Sequence, residues 1–394
     1  MNLTGQGTVQ PAKRTDLISL FLCGDVMTGR GIDQILPHPS DPTIHEPYMK
    51  DARGYVEIAE RINGSIPRPV APDYIWGDAL EELERVAPDL RIINLETSVT
   101  KSDDYWEGKQ IHYRMHPENI DCITAAKIDV CSLTNNHVLD WGYAGLEETL
   151  KTLRKAGIRG VGAGENLMEA EAPAIADIPA KGRVIIFALG SPTSGVPLNW
   201  GASEKRPGVN LLRDFSEDTI QCIRKKVREV KQERDIFVVS IHSGGNWGYH
   251  LSQNEIDFAH RLIEEAGIDL IHGHSSHHVK GIEVYHGKLI LYGCGDFLDD
   301  YEGIGGYEDY RSDLGLMYFA TVDPATGKLV QLQMTPTHIR HFKVNRASKD
   351  DALWLARTLN REGRRFGTKA RVDDGNRLAL SWDRSWYKTT NNKR

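Results

Sequence analysis

Short apolar runs alternate with amphipathic stretches along most of this chain. The apolar runs are typical of buried strands, and they predict strands at residues 18–23, 90–95, 130–133, 183–189, 236–241, 268–271, 282–285 and 289–292. Apolar positions at helical spacing predict helices at residues 54–63, 78–86, 122–127, 143–156, 217–233, 253–266 and 350–364. Buried strands that alternate with helices indicate an α/β layered fold.

Two pairs of neighbouring apolar runs predict that part of the sheet structure is antiparallel. The first pair is 282–285 with 289–292, and the second is 316–322 with 329–334. The chain shows no internal repeat and no clear linker. We therefore predict one domain over residues 16–340, preceded by a flexible segment at residues 1–15 and followed by a helical extension at residues 341–394.

Composition and charge exclude several classes of protein. Of the 394 residues, 40% are hydrophobic and 26% are charged, which is ordinary for a globular enzyme. The formal net charge of −7 excludes a broad basic surface for binding nucleic acid. The N-terminus lacks the apolar core of a secretory signal, and no apolar stretch reaches the roughly 18 residues of a membrane span. We expect a cytoplasmic protein, and homo-oligomerisation stays open.

Polar side chains with metal-binding chemistry follow six of the apolar runs. They are Asp25 after the first; Asn94 and Glu96; Asn135, Asn136, His137 and Asp140; His242 and Asn246; His272, His274, His277 and His278; and Asp296 after the last. Ligands in open α/β sheets gather beyond the carboxyl ends of the strands. Imidazole and carboxylate together suit Mn, Fe or Zn, so we predict one or two divalent transition metal ions as the cofactor.

At these residues the sequence resembles a known protein family. The matching segments are GDVMTGRG, NLETSVT, SLTNNHVLDWG with GLEETL, GAGEN, SIHSGGNWGY and GHSSHHVKGIEVYHGKLILYGCGDF. Their order and spacing, over roughly residues 17–300, resemble the bacterial capsule-synthesis CapA family of poly-γ-glutamate synthesis proteins, within the metallophosphatase (calcineurin-like) superfamily. The resemblance implies a four-layer α-β-β-α sandwich with two mixed sheets and a metal centre at the sheet edges.

The resemblance also implies roles for individual residues. The implied metal ligands are Asp25, Glu96, Asn136, His242, His274 and His277. His137 occupies the position of a catalytic histidine that protonates the leaving group. Asp140 either orients His137 or caps the helix that follows Gly142, and the helix cap is the interpretation we favour from the sequence.

Three departures from the family pattern concern the metal ligands. Met27 stands where the superfamily has a histidine in its first motif, Glu96 follows Leu95 where an aspartate usually follows glycine, and GHSSH replaces the usual GHHPH. The lost histidine leaves two alternatives open, which are a mononuclear centre and an altered dinuclear one.

The predicted substrate-binding residues are Arg30, Arg114, His116 and Asn246. Arginine forks match carboxylate and phosphate groups, although a surface salt bridge is an equal alternative for Arg114. The first functional hypothesis is a metal-dependent hydrolase acting on a phosphoester or a γ-glutamyl-type amide, with a small-molecule or polyanionic substrate. The alternatives are a non-catalytic accessory factor in poly-γ-glutamate (capsule) biosynthesis and a biosynthetic enzyme that trims or joins amides of glutamate-like metabolites.

Overall fold

The computed structural model describes residues 16–383 and residue 386. In that part of the chain the helices α1 to α8 are, in order, Arg53–Asn63, Asp78–Val86, Asp121–Thr124, Gly142–Lys155, Leu167–Ala170, Glu217–Val230, Gln253–Glu264 and Lys349–Gly363. The strands β1 to β20 are, in order, Ile18–Val26, Leu90–Leu95, Ser98–Val99, Arg114–Met115, Val130–Ser132, Arg159–Val161, Ala163–Gly164, Ala174–Ile178, Gly182–Gly190, Gly208–Val209, Ile236–His242, Leu270–His274, Ile282–Tyr285, Lys288–Leu291, Asp296–Leu298, Leu314–Asp323, Lys328–Ile339, Val344–Arg346, Thr368–Val372 and Leu378–Trp382.

The larger sheet is mixed and is organised around β1. Its order is β19-β20-β17-β16-β1-β2-β5-β6, with β15 paired to β1 and β18 paired to β17. Strand β1 runs parallel to β2 and β15 and antiparallel to β16. The carboxyl ends of β1, β2 and β5 therefore lie at one edge of this sheet.

The smaller sheet has the order β13-β14-β12-β11-β9-β8. Its central strands β9, β11, β12 and β14 are parallel, and the outer strands β8 and β13 are antiparallel to their neighbours. The parallel strands are buried on both faces, which explains their continuous apolar sequences.

Alternate residues of the strands enter different hydrophobic clusters, as the two-residue period of a strand requires. Leu20 of β1 and Val238 of β11 belong to one cluster that both sheets share. Phe21 points to the other face of the large sheet, into a cluster with residues of α1, α2 and α4. Val239 likewise lies in a cluster with residues of α6 and α7. Helices α1, α2, α4, α6 and α7 thus pack on the outer faces of the sheets, whereas Leu355 and Leu359 of α8 belong to the shared cluster.

These observations confirm the mixed α/β class. The antiparallel pairs predicted near 282–292 and 316–334 are present as β13–β14 and β16–β17. The predicted helix at 350–364 is present as α8, but residues 341–394 also supply β18, β19 and β20, which belong to the large sheet. The predicted flexible segment at residues 1–15 lies outside the described residues, and the domain boundaries stay a prediction.

Among the described residues, no helix is both long enough and apolar enough to cross a membrane.

Candidate metal centre

The carboxyl ends of parallel strands from both sheets meet at one place. In the large sheet, Asp25 of β1 is paired in register with Asn94 of β2, and in the small sheet His242 of β11 is paired with His274 of β12. The backbone N–H of Ser275, just after β12, donates to Asp25 Oδ2 at 3.2 Å and so joins the two sheets. The strand-end residues that the sequence singled out therefore converge.

A glycine before Asp25 allows a close approach between two chain segments. A Cβ on Gly24 would lie 1.6 Å from the carbonyl oxygen of Gly295, so only glycine fits at this position. The backbone N–H of Asp25 donates to that same carbonyl at 3.0 Å. This contact brings β15 alongside β1 and places Asp296 opposite Asp25.

Two groups of potential metal ligands share Asp25. One consists of Asp25, His242 and His274, and the other of Asp25, His277 and Asp296. Within each group, one ligand atom per residue lies within 4.8 Å of the others, and all five side chains are buried. Asp25 is therefore in a position to contact both of two neighbouring ions.

In the first group, two imidazoles face a common point. Nδ1 of His242 and Nδ1 of His274 are 2.8 Å apart, and His274 Nδ1 is 3.9 Å from Asp25 Oδ1. The Ser240 hydroxyl, 2.8 Å from His274 Nε2, fixes the orientation of that ring. The predicted ligand Glu96 also lies here, with its Oε2 3.8 Å from His242 Nδ1. The predicted ligand Asn136 contacts the other ring nitrogen of His242, with its Oδ1 3.0 Å from Nε2.

The second group contains a carboxylate that was not among the predicted ligands. His277 Nδ1 lies 2.9 Å from Asp296 Oδ1, while Asp296 Oδ2 has no hydrogen-bond partner among the described residues. Asn246, predicted to bind substrate, places its Nδ2 2.9 Å from His277 Nε2. Met27 is fully buried, and its sulfur lies beside the Tyr301 hydroxyl. Asp296 from β15 gives the second group a carboxylate, which Met27 cannot supply.

Burial shifts the pKa values of both kinds of ligand in a way that suits a cation. Burial, with the charge of Asp296, raises the pKa of Asp25 to about 7. Burial also raises the pKa of Glu96, and the negative charge of Asp25 raises it further. The pKa values of His242 and His274 are lowered by burial, so both imidazoles are neutral at pH 7. Neutral imidazoles and crowded carboxylates fit a divalent transition metal, whose charge would relieve the repulsion.

His137 lies beside the first group and is held by a carboxylate. Its Nδ1 is 2.6 Å from Asp140 Oδ2, and its Nε2 is 4.0 Å from Glu96 Oε1. Burial lowers the pKa of His137 to about 4, against the opposing effect of Asp140. The interpretation of Asp140 as a helix cap is wrong, because α4 begins after Trp141 without a side-chain cap and Asp140 instead accepts from the backbone N–H of Tyr113.

Lys109 is a site residue that the sequence analysis missed. Its Nζ lies 3.1 Å from His137 Nδ1, and it donates to the Asp140 carboxylate and to the carbonyl of Asn136. It comes from the polar segment between β3 and β4, which follows no long strand and carries no recognisable motif. Only the folded chain shows that this segment reaches the centre.

A cavity of about 590 Å³ adjoins the second group and is lined by His277, Asn246, Trp247 and Arg30. Arg30 is buried, and its guanidinium pairs with Asp300 and Glu46. Arginine donors that are already paired in this way are less available to a substrate.

The other two residues predicted to bind substrate are not brought to the centre. Arg114 donates to Asp103 at 2.7 Å and to the carbonyl of Asp41 at 2.9 Å, so it ties surface segments together. His116 is the N-cap of a short 3-10 helix and accepts from the N–H of Glu118.

The chain is similar to several known proteins over most of its length. The probable polyglutamine synthesis accessory protein of Mycobacterium tuberculosis is 48% identical over 370 residues, which cover 94% of this chain and 97% of that protein. The PGA biosynthesis protein CapA of Bacillus subtilis is 29% identical over 94% of this chain and 84% of its own length. The capsule biosynthesis protein CapA of Bacillus anthracis is 24% identical over 74% of this chain and 62% of its own length.

A sequence model of the family described as bacterial capsule synthesis protein PGA_cap matches residues 19–301. That range contains Asp25, His137, His242 and both candidate ligand groups. The chain therefore belongs to the bacterial capsule synthesis (CapA) family.

Proposed function

We propose that this protein is a metal-dependent hydrolase of the metallophosphatase type that acts on a phosphoester or a γ-glutamyl-type amide in capsule biosynthesis. The observation that supports it most strongly is the pair of ligand groups that share Asp25 next to His137. We also propose the four-layer α-β-β-α arrangement, which is supported by one cluster shared between the sheets and two clusters formed with helices.

The residues that would hold the metal belong to two sets. Asp25, His242, His274, Glu96 and Asn136 would serve one ion, and Asp25, His277 and Asp296 the other. Bound Mn, Fe or Zn supplies a Lewis acid that polarises the scissile group and activates water.

His137 is the residue placed to move a proton. Asp140 accepts a hydrogen bond from Nδ1–H of His137, which leaves Nε2 to exchange a proton with the substrate. Because burial lowers the pKa of His137, its protonated form needs negative charge beside Nε2, which an anionic substrate would provide. His137 then donates to the leaving group, and Asp140, which accepts from both Nδ1–H and Lys109, keeps the ring in place.

A second candidate function is that of an accessory factor without catalysis. It is supported by the name of the M. tuberculosis relative, which is called an accessory protein. If the protein has this accessory function, it would co-purify with the subunits of a polymer-forming ligase and would hydrolyse neither an ester nor an amide.

Metal content and hydrolysis test the proposal together. Protein purified without chelator is analysed for Mn, Fe and Zn, and is then assayed with bis(p-nitrophenyl) phosphate and with γ-glutamyl-p-nitroanilide. We expect bound metal and turnover of one of the two compounds. His137→Gln should lower kcat by about 10²–10⁴-fold without loss of metal, which is the usual contribution of general acid catalysis.

The matched control is His116→Ala, which removes a histidine that lies away from the centre. It should leave metal content and turnover unchanged. Metal-free protein, or turnover that does not depend on His137, would contradict the proposal. Absence of turnover together with retention of ligase subunits would favour the accessory role.

A further inference from the structure

The cavity of about 590 Å³ beside the second ligand group has a largely apolar wall, and we call it the apolar cavity. Among the described residues, eight large hydrophobic side chains are exposed, and four of these line this one cavity. The four are Tyr48, Ile62, Ile304 and Tyr307, with exposures between 45% and 68%. Exposed apolar side chains that gather around one cavity, and are not scattered over the surface, indicate a place where an apolar part of a ligand binds.

The aromatic part of this wall reaches the candidate metal centre. The rings of Trp247 and Tyr307 are stacked, with their centroids 3.9 Å apart and their planes 3° from parallel. The Trp247 ring is also 5.3 Å from the imidazole of His277, which belongs to the second ligand group and itself lines the cavity. A group that rests against this wall therefore lies next to the ligands of the second group.

The arginines in the wall are already neutralised. Arg30 is paired with two carboxylates, as described above. Arg311 is paired with Asp313 and with Asp351, at 2.8 Å in each case. An anionic group in the cavity would meet these paired arginines and the additional carboxylate of Asp299. Because it would lose its hydration without gaining a partner for its charge, the cavity disfavours anions.

The segment that carries Ile304 is held in place by the fold. The carboxylate of Glu302, just before it, accepts from Asn63 Nδ2 at 2.6 Å and from the backbone N–H groups of residues 341 and 342 at 2.8 Å and 2.6 Å. Gly303, at φ +81°, packs so closely on α1 that a Cβ would lie 2.7 Å from the nearest side-chain atom of that helix. The apolar wall is therefore preformed, which reduces the entropic cost of binding.

We propose that the apolar cavity binds an uncharged aromatic group of the substrate, attached next to the bond that is presented to the metal centre. This inference rests on the proposed function and deepens it, because it names the class of substrate. Trp247 covers one face of Tyr307, yet 48% of Tyr307 stays exposed, which leaves surface on which another ring can stack. Of the two kinds of substrate expected from the sequence, the cavity favours the small molecule over the polyanion.

Binding of phosphinates tests the inference apart from catalysis, because their P–C bonds leave no ester to hydrolyse. Protein as purified is titrated calorimetrically with diphenylphosphinate and with dimethylphosphinate, which carry the same charge and differ in their rings. We expect the diphenyl compound to bind at least about tenfold more tightly, because burial of roughly 100 Å² of apolar surface contributes at least that factor. Bis(4-carboxyphenyl)phosphinate and bis(4-aminomethylphenyl)phosphinate, whose rings carry charges of either sign, should both bind more weakly than diphenylphosphinate.

A pair of double variants assigns this preference to the cavity. Ile62→Asn with Ile304→Asn places polar groups in the apolar wall and should reduce the preference for the diphenyl compound to about threefold or less. Leu198→Asn with Val330→Asn is the matched control, because these two exposed side chains do not line the cavity. It should retain the full preference. All four positions are exposed, so both double variants should fold.

Hydrogen exchange on the wild-type protein keeps the test independent of any variant. Diphenylphosphinate should slow amide exchange in residues 302–308, and dimethylphosphinate should not. Equal binding of these two compounds, tighter binding of either charged ring, unchanged exchange, or a preference that survives in the Ile62 and Ile304 variant would overturn the inference, even if esters are hydrolysed. The expected preference without turnover of any ester or amide would support the cavity and count against the proposed hydrolase alone.

Discussion

Asp25 is the residue on which both candidate ligand groups depend. It follows Gly24, whose missing side chain lets β1 lie against Gly295, and it is the only member that the two groups have in common among the described residues. Its two carboxylate oxygens accept from different partners, Asn94 at 2.8 Å and the N–H of Ser275 at 3.2 Å. Loss of this carboxylate would therefore affect both groups at once.

The protonation of Asp25 predicts how metal affinity changes with pH. The pKa of Asp25 is raised to about 7, so below that pH a cation must displace its proton, whereas the histidines, with lowered pKa values, are already neutral. Affinity for Zn²⁺ should thus rise by about fivefold between pH 6 and pH 7, because the ionised fraction of Asp25 rises by about that factor. Equilibrium dialysis at the two pH values measures this, and Asp25→Asn should weaken binding and flatten the dependence. An affinity that is constant or falls with rising pH would contradict the prediction.

At the residue scale, the sequence identified most of the centre but not all of it. Asp25, His242 and His274 follow long apolar runs, and such runs place their last residues at one sheet edge. Asp296 also follows an apolar run, and only its pairing with Asp25 shows that it belongs with the ligands. Lys109 had no such signal, because it reaches His137 from a polar segment.

At the scale of elements, periodicity predicted the long helices and strands closely. The helix Asp78–Val86 and the strand Leu90–Leu95 have the predicted bounds, because their apolar positions follow one clear period. The strands Thr368–Val372 and Leu378–Trp382 were missed. They are only five residues each, and β19 has only two apolar residues, so their burial depends on the sheet edge that they join.

These late strands should contribute to stability through a few buried side chains. Leu378 of β20 is buried opposite Met334 of β17, so Leu378→Ala should lower the free energy of unfolding by about 2–5 kcal/mol. Lys369→Ala, at an exposed position of β19, should change it by less than about 0.5 kcal/mol. Urea unfolding measures both. Equal, small effects would mean that the strands at residues 368–382 do not form part of the stable core.

At the scale of the whole molecule, the candidate metal centre joins the two sheets. Asp25 and Asp296 come from the large sheet, His242 and His274 from the small one, and the hydrophobic cluster between the sheets includes residues of both. A bound ion would thus add a polar link between sheets that otherwise meet mainly through apolar side chains.

Metal should therefore stabilise the molecule as a unit. At a free metal concentration of about 100 times Kd, binding adds about 2.7 kcal/mol to the stability of the native state. Thermal unfolding should shift to higher temperature, and amide hydrogen exchange should slow in β1 and in β11 together. Asp25→Asn should show neither change. Protection confined to one sheet would show that the ion does not bridge them.

The antiparallel pairing of β1 with β16 has a practical consequence. Ile18, at the start of β1, is paired with Val322, so the β16–β17 turn lies at the opposite end of β1 from Asp25, roughly 20 Å away at strand spacing. Ala325 and Thr326 in this turn are exposed. A peptide tag inserted between them would tether the protein to a sensor chip at the end of β1 opposite the candidate metal centre.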